Sequence, residues 1–201
     1  MSDMKGYVMN LGERPDRMVE FQKNIFPFEV ERFNAIRLEP GWKGCTESQL
    51  VILSRQKEFP FAIFEDDCVL LQPWSVVERA MEQLPKNWDL LYLGATLMRP
   101  VERYSENLFW LKGGYCAHAI IYNSKRVVDY VLQEHGNFFR NSPERNTLDV
   151  FYFCDVQEKF NCFIVNPLVA TQRPGFSDIE NMNVDYTQII NHFNIYTDAS
   201  K

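Results

Sequence analysis

Apolar runs alternate with amphipathic ones along this chain, the pattern expected of a layered α/β domain. Gly6 to Leu11 reads as a first strand, and Pro15 stands where a helix begins. Met18, Phe21 and Ile25 then share one face of a helix running to about Ile25. Thr46-Glu47-Ser48-Gln49 has the form of a capping box, with Thr46 as N-cap and Gln49 reaching back, so a second helix follows Cys45 and stops before Pro60. Phe61 to Phe64 reads as a buried central strand, Trp74 to Leu84 as a helix between two prolines, and Trp88 to Leu93 as another strand. Asn107 to Lys112 and Cys116 to Tyr122 are rich in β-branched and aromatic residues. With Gly113-Gly114 marking a turn or a close backbone approach between them, they are expected to pair as a hairpin. Ser124 to His135 predicts a helix with Ser124 at its N-cap and Gly136 as C-cap, and His135 as a charge at its C-terminus. Thr147 to Lys159 predicts the last helix and Phe160 to Val165 a short strand. From about Thr171 to residue 201 the chain turns polar, and an irregular segment folding over a cleft is expected.

The chain has 201 residues, 46% hydrophobic and 14% aromatic, enough for one substantial core, so a single domain over residues 1–201 is expected. A net charge of -6 argues against a nucleic-acid binder, which needs a basic face. Residues 1–6 carry no apolar signal core and no stretch approaches the roughly 20 apolar residues of a transmembrane segment, so the expected location is cytoplasmic. Five cysteines without a Cys-x-x-Cys pair suggest free, mostly buried thiols.

The chemistry concentrates where the strand Phe61–Phe64 runs into Glu65-Asp66-Asp67. Packed carboxylates raise one another's pKa and are tolerated best beside a hard divalent cation or water, and strand ends of open α/β sheets are where ligands bind. A solvated acidic turn is the competing reading. Alternation puts Glu65 and Asp67 on one side of an extended backbone and Asp66 on the other. Asn10, Arg14, Asp16 and Arg17 follow the first strand, where an arginine can bind phosphate or stack on a base; a surface Arg–Asp pair is the alternative. His118 reads as a core histidine, and the four tryptophans as core, with Trp110 a possible sugar platform.

Several separated pieces together resemble the glycosyltransferases of family 25, which include bacterial lipopolysaccharide and procollagen galactosyltransferases. They are Val8-Met9-Asn10-Leu11 with Arg14, Asp16 and Arg17; Arg32-Phe33-Asn34-Ala35; Gly44-Cys45-Thr46-Glu47-Ser48; Glu65-Asp66-Asp67; Trp88 to Gly94; and Pro167 to Gln172. Two departures stand out. Gln49 takes the place of the family's His, and Gly114-Tyr115-Cys116-Ala117-His118 ends in His where Tyr is common.

The resemblance implies an α/β fold of GT-A type, a mixed central sheet flanked by helices, and inverting transfer of a hexose. Galactose or glucose is favoured, moving from a UDP-sugar to a glycan or glycoprotein hydroxyl. It implies Mn²⁺ or Mg²⁺ held by Asp67 with Glu65, and a nucleotide-sugar site of Asn10, Leu11, Arg14, Arg17, Ala35, Ser48 and Asp66. Gly113, Gly114, Tyr115 and Gln172 would border the acceptor or donor sugar, with Asp178 a further contact near the diphosphate. An inverting transferase needs a base for the acceptor hydroxyl, for which Asp149 is the candidate and Asp155 the reserve; helix N-terminal stabilisation is the other reading of Asp149. A non-catalytic sugar-nucleotide or glycan-binding module is the main alternative, and a glycoside hydrolase using Glu65, Asp67 and Asp149 a remoter one.

Overall fold

The computed structural model describes residues 4–141, 147–179 and 181–187. β1 (Lys5–Asn10) is flanked on both sides by parallel strands, β2 (Val30–Asn34) and β3 (Phe61–Glu65). Beyond β3 come β10 (Ala119–Tyr122), antiparallel to it, then β5 (Leu90–Tyr92) and β11 (Cys162–Val165). The sheet ends with β8 (Leu108–Trp110) and β7 (Glu102–Arg103), giving eight strands in the order β2-β1-β3-β10-β5-β11-β8-β7. The sheet is mixed, as expected of an α/β domain whose strands are buried on both faces.

Alternation along the central strands splits the core in two. Phe61, Ile63, Leu90, Tyr92, Ile120 and Ile164 face one layer with α2 (Gly41–Arg55), α4 (Lys125–Asn141) and α5 (Leu148–Phe151). Ala62, Phe64, Leu91, Ile121 and Phe163 face the other, which contains α1 (Pro15–Phe21) and α3 (Ser75–Glu82). After α5 the chain continues through a π-helical turn (Tyr152–Val156) into α6 (Gln157–Lys159), together covering the predicted helix to Lys159.

Several expectations are corrected. β2 has no counterpart in the predicted elements: its sequence Val-Glu-Arg-Phe-Asn has mostly polar, exposed positions at the sheet edge, so it lacks the apolar run that marks a buried strand. α1 stops at Phe21, and Ile25 is 84% exposed instead of sharing its inner face. α2 begins at Gly41, so Thr46 is a buried helix-interior residue and the capping box is not formed. α4 runs through Gly136, since a mid-helix glycine costs only about 1 kcal/mol and the flanking Phe138 and Phe139 are packed against the core. His135 is therefore not a C-terminal charge; its Nδ1 lies 2.9 Å from the Val131 carbonyl.

The predicted hairpin is also absent. β8 pairs with β7 and β11, β10 pairs with β3 and β5, and between them β9 (Gly114–Tyr115) pairs with β6 (Thr96–Leu97). Gly113 lies in a bend and Gly114 in β9, and a Cβ on Gly113 would lie 2.6 Å from the Arg99 side chain, so the pair marks a close approach and not a hairpin turn. The polar end of the chain is more ordered than expected: β12 (Ala170–Gln172) pairs with β4 (Cys68–Leu70), and β13 (Gly175–Ser177) pairs with β14 (Met182–Val184). The rest of the expected tail, with His192, lies outside the described residues. Among the described residues no helix is long and apolar enough to cross a membrane. Among the described residues no disulfide is formed, and Cys68 and Cys162 are buried.

Candidate active site

β3 ends at Glu65, and the main chain turns through Asp66 and Asp67 before entering β4. Apolar packing of Phe61–Phe64 on both faces fixes the strand, so the acidic residues that follow are held at the sheet's rim by a rigid element. Asp66 turns towards the α1 side. Its Oδ2 accepts from Asn10 Nδ2 at 2.7 Å and its Oδ1 from Arg17 NH1 at 2.6 Å. Asn10 is held in turn by Arg32, whose Nε donates to its Oδ1 at 2.9 Å.

Asp67 is held differently. Oδ2 meets Arg17 NH2 only at 3.4 Å, and Oδ1 is buried with no partner. Burial pushes the Asp67 carboxyl up to about 6, against the pull of Arg17. Burial, and then Asp67, Asp149 and Asp66, push Glu65 well above the carboxylate range. Burial also raises Asp66, opposed by Arg17 and Asn10. Asp149 is thus close enough to the triplet to act on Glu65 electrostatically.

β12 delivers Gln172 to the same corner. It is 8% exposed, its Nε2 donates to Glu65 Oε2 at 3.3 Å, and its Oε1 is buried without a partner, as is Thr171 Oγ1 beside it. Arg173 N donates to the Asp67 carbonyl at 2.8 Å, joining the two segments through the main chain. Gly94, at the end of the Trp88–Gly94 segment, allows this approach: a Cβ there would lie 2.1 Å from the Ala170 carbonyl oxygen.

The segment after β12 crosses the mouth of this corner. Arg14 NH1 donates to Asp178 Oδ2 at 2.7 Å while its other nitrogens hold Asp16, and Arg17 NH2 reaches the Phe176 carbonyl at 3.3 Å. A Cβ on Gly41 would lie 2.4 Å from the Asp178 carbonyl oxygen, so this strap also rests on the start of α2.

Other predicted site residues take definite places. Leu11 offers its carbonyl to Arg32 NH2 at 3.4 Å. Ala35 N donates to the Asn10 carbonyl at 3.0 Å. Ser48 accepts from Ile36 N at 2.8 Å and donates to the Gly44 carbonyl at 2.6 Å, locking the segment after β2 onto α2. Gly114 is bonded through both N and O to the buried Gln157 side chain, and Tyr115 stacks on Phe153 with ring centroids 4.3 Å apart. Asp155 accepts from Tyr130 OH at 2.6 Å and pairs with Lys159, which commits the reserve base to a structural contact. Gln49, in the family His position, is 1% exposed and donates to Tyr122 OH at 2.7 Å instead of capping its helix. Trp110 packs on Phe163, a core contact.

Sequence reasoning missed Thr171, Arg32 and the Phe176 carbonyl, and also Cys45 and Cys116. Burial first, then Glu65 and Asp149, raises the Cys45 thiol. Cys116, whose φ is 75°, is pushed up to about 12 by burial, with Asp149 and Glu65 adding to it. Arg32, Thr171, Cys45 and Cys116 all lie in segments that carry the resemblance and could have been found there; nothing local marks the Phe176 carbonyl.

A divalent cation is implied by the resemblance, and the donor set tests it. Among the described residues no three His, Cys, Asp or Glu side chains converge into a metal cage. The free oxygens of Asp67 and Gln172 are hard donors that suit Mn²⁺ or Mg²⁺ sharing its shell with phosphates and water, so the residues fit such an ion as partial ligands.

No protein-family model and no curated protein sequence matches the chain. Solved structures do share its fold. A197 from STIV superposes with a TM-score of 0.52 at 12% identity, covering 92% of this chain and 93% of A197. The glycosyltransferase GlyE of Streptococcus pneumoniae TIGR4 superposes with a TM-score of 0.51 at 9% identity in two structures, one of them the apo-form. The chain spans less than half of GlyE, 45% and 46% of its length, while 81% and 83% of the chain is matched. The fold is therefore α/β of the GT-A type that GlyE shares.

Proposed function

We propose that the protein is a metal-dependent inverting glycosyltransferase related to family 25, moving a hexose from a UDP-sugar to a glycan or glycoprotein hydroxyl. The observation carrying this reading is Asp67, a half-buried carboxylate whose Oδ1 is buried without a partner at the rim of a glycosyltransferase-type sheet. Asp67 and Gln172 would hold the ion, with Glu65 beside them. Bound there, it would supply Lewis-acid stabilisation of the charge left on the departing nucleotide. Asn10 and Asp66 fix the rim, and Arg14 and Arg17 beside it would meet the diphosphate. Asp149, on α5 in the helix layer opposite the one that holds α1, would take the acceptor hydroxyl proton as that oxygen attacks the anomeric carbon opposite the leaving phosphate. Galactose or glucose as the sugar, a lipopolysaccharide or glycoprotein acceptor and a cytoplasmic location rest on the resemblance and the sequence.

A non-catalytic sugar-nucleotide module is favoured by one observation, that position 49 is occupied by a Gln fixed in the core. Thermal stability with UDP, UDP-galactose and UDP-glucose, each with and without Mn²⁺, tests the donor site. A nucleotide at 100 times its Kd stabilises by about 2.7 kcal/mol. The expected shift needs Mn²⁺ and vanishes in Asp67→Asn; no shift with any nucleotide overturns the reading. Binding without turnover of any acceptor would leave the module.

A further inference from the structure

The acidic corner already contains a cation of its own. Arg17 reaches Asp66 at 2.6 Å, Asp67 at 3.4 Å and the Phe176 carbonyl at 3.3 Å. The two arms are unequal. Asp66 has both oxygens filled, by Asn10 and by Arg17 NH1, while Asp67 has one oxygen on the long Arg17 contact and one free. Gln172, more than nine-tenths buried, donates through Nε2 to Glu65 and lies beside Asp67, and its carbonyl oxygen is unpaired as Asp67 Oδ1 is.

We infer that Arg17 is a positioning residue that makes cation binding and diphosphate binding depend on each other. The inference rests on the proposed donor site. A divalent ion arriving alone at Asp67 meets a guanidinium a few ångströms away, and like charge weakens its binding. A diphosphate arriving with it supplies anionic oxygens that accept from the NH2 arm released by Asp67, while NH1 stays on Asp66. A planar guanidinium offers two nitrogens in a fixed fork, one for each anion; an ammonium's three donors radiate from a single nitrogen and cannot hold that geometry. Arg17 therefore penalises the bare ion and rewards the ion–diphosphate pair. Linkage makes the effect reciprocal, since the ion must tighten the diphosphate by the same factor as the diphosphate tightens the ion.

The test uses the full chain and two binding readouts, Mn²⁺ by electron paramagnetic resonance of the free ion and UDP by calorimetry. In the wild type, saturating UDP is expected to tighten Mn²⁺ at least about tenfold, within the usual range of coupling between sites. Arg17→Gln is expected to bind Mn²⁺ alone at least about tenfold more tightly than wild type, with UDP adding less than about threefold. Arg17→Lys keeps the charge, so Mn²⁺ alone stays as weak as in wild type, but the coupling falls several-fold. This variant carries the test if Arg17→Gln does not fold. Arg17→Gln binding Mn²⁺ no more tightly than wild type, or Arg17→Lys retaining full coupling, overturns the inference while Mn²⁺-dependent UDP binding leaves the donor site standing. Failure of every variant, wild type included, to bind Mn²⁺ or UDP overturns the donor site and this inference together.

Discussion

Asp89 and Asp67 are two inward-lying aspartates at the rims of the same sheet, and their surroundings are opposite. Asp89, just before β5, is 1% exposed and every lone-pair direction is filled: Oδ1 accepts from Ser124 Oγ and from Arg126 Nε at 2.7 Å, and Oδ2 from Arg126 NH2 and from Asn161 N at 2.9 Å. Asp67, just after β3, is 16% exposed and leaves an oxygen unpaired. Buried polar groups are hydrogen-bonded in nearly every native structure, because an orphaned one costs about 1–3 kcal/mol. A carboxylate closed on all sides ties elements together; one left open is a place for something the chain does not itself supply. The contrast separates structural from functional acidity without reference to any relative.

The sharpest break in that contrast is chemical. Asp67→Asn is expected to lower transfer by about a thousandfold or more, roughly 4 kcal/mol of transition-state stabilisation, while the variant is at least as stable as wild type. Matched rates with donor saturating and Mn²⁺ present would return Asp67 to the structural class. Asp89→Ala should do the reverse. Removing it orphans Asn161 N and unties α4 from β5, so urea denaturation is expected to show a loss of about 2–4 kcal/mol with turnover per folded molecule unchanged. A loss below about 1 kcal/mol would mean that solvent replaces the half-exposed Arg126 partner at little cost.

The buried strands and the acidic corner were legible because each has a local signature. Phe61–Phe64 is apolar on both faces and the triplet follows it directly, but strand alternation stops at Glu65: Asp66 and Asp67 lie in the turn after β3 and share Arg17, so the expected separation of Asp66 from Asp67 is not found. β2 was not legible: as an edge strand it buries little, and its pairing with β1 is a long-range fact. Nor was the split of β8 and β10. Two β-rich runs around Gly113-Gly114 satisfy hairpin chemistry locally, but both prefer longer-range partners buried in the main sheet. The capping box failed for a related reason, since the helix gained another turn from Gly41 and Thr46 went inside. What the sequence could not supply was pairing: which arginine holds which carboxylate, and which oxygen stays free.

His118 is a third kind of buried polar group, one that stays uncharged. It is fully buried, and burial lowers its pKa to about 4, with the Ala170 carbonyl acting weakly the other way. From pH 6.5 down to about 4 the unfolded chain therefore binds a proton that the folded chain refuses. The resulting stability is complete above pH 6.5 and is lost as pH falls towards 4 and below, by roughly 3 kcal/mol in all. The raised carboxyls of Glu65 and Asp67 act in the opposite direction, favouring the folded state as pH falls. Comparing urea denaturation of wild type with His118→Asn at pH 7 and pH 4.5 isolates the histidine. The variant should lose less stability than wild type over that interval, and equal losses would mean that His118 finds a partner when protonated.

The smallest effect is expected at Gln49, where the departure from the family pattern is most conspicuous. Its amide joins a closed buried network, Gln49 to Tyr122 and Tyr122 to Tyr152, with neighbouring hydroxyl oxygens 2.7 and 2.9 Å away. The tyrosine hydroxyls satisfy each other in part, so Gln49→Leu removes one neutral hydrogen bond and leaves Tyr122 its second partner. The expected cost is about 1 kcal/mol in denaturation, with transfer lowered by less than about threefold. Gln49 belongs on Asp89's side of the comparison if that holds. A hundredfold loss of transfer with stability intact would place position 49 in the catalytic cleft, and the chain would then have exchanged a His for a Gln within its chemistry and not within its core.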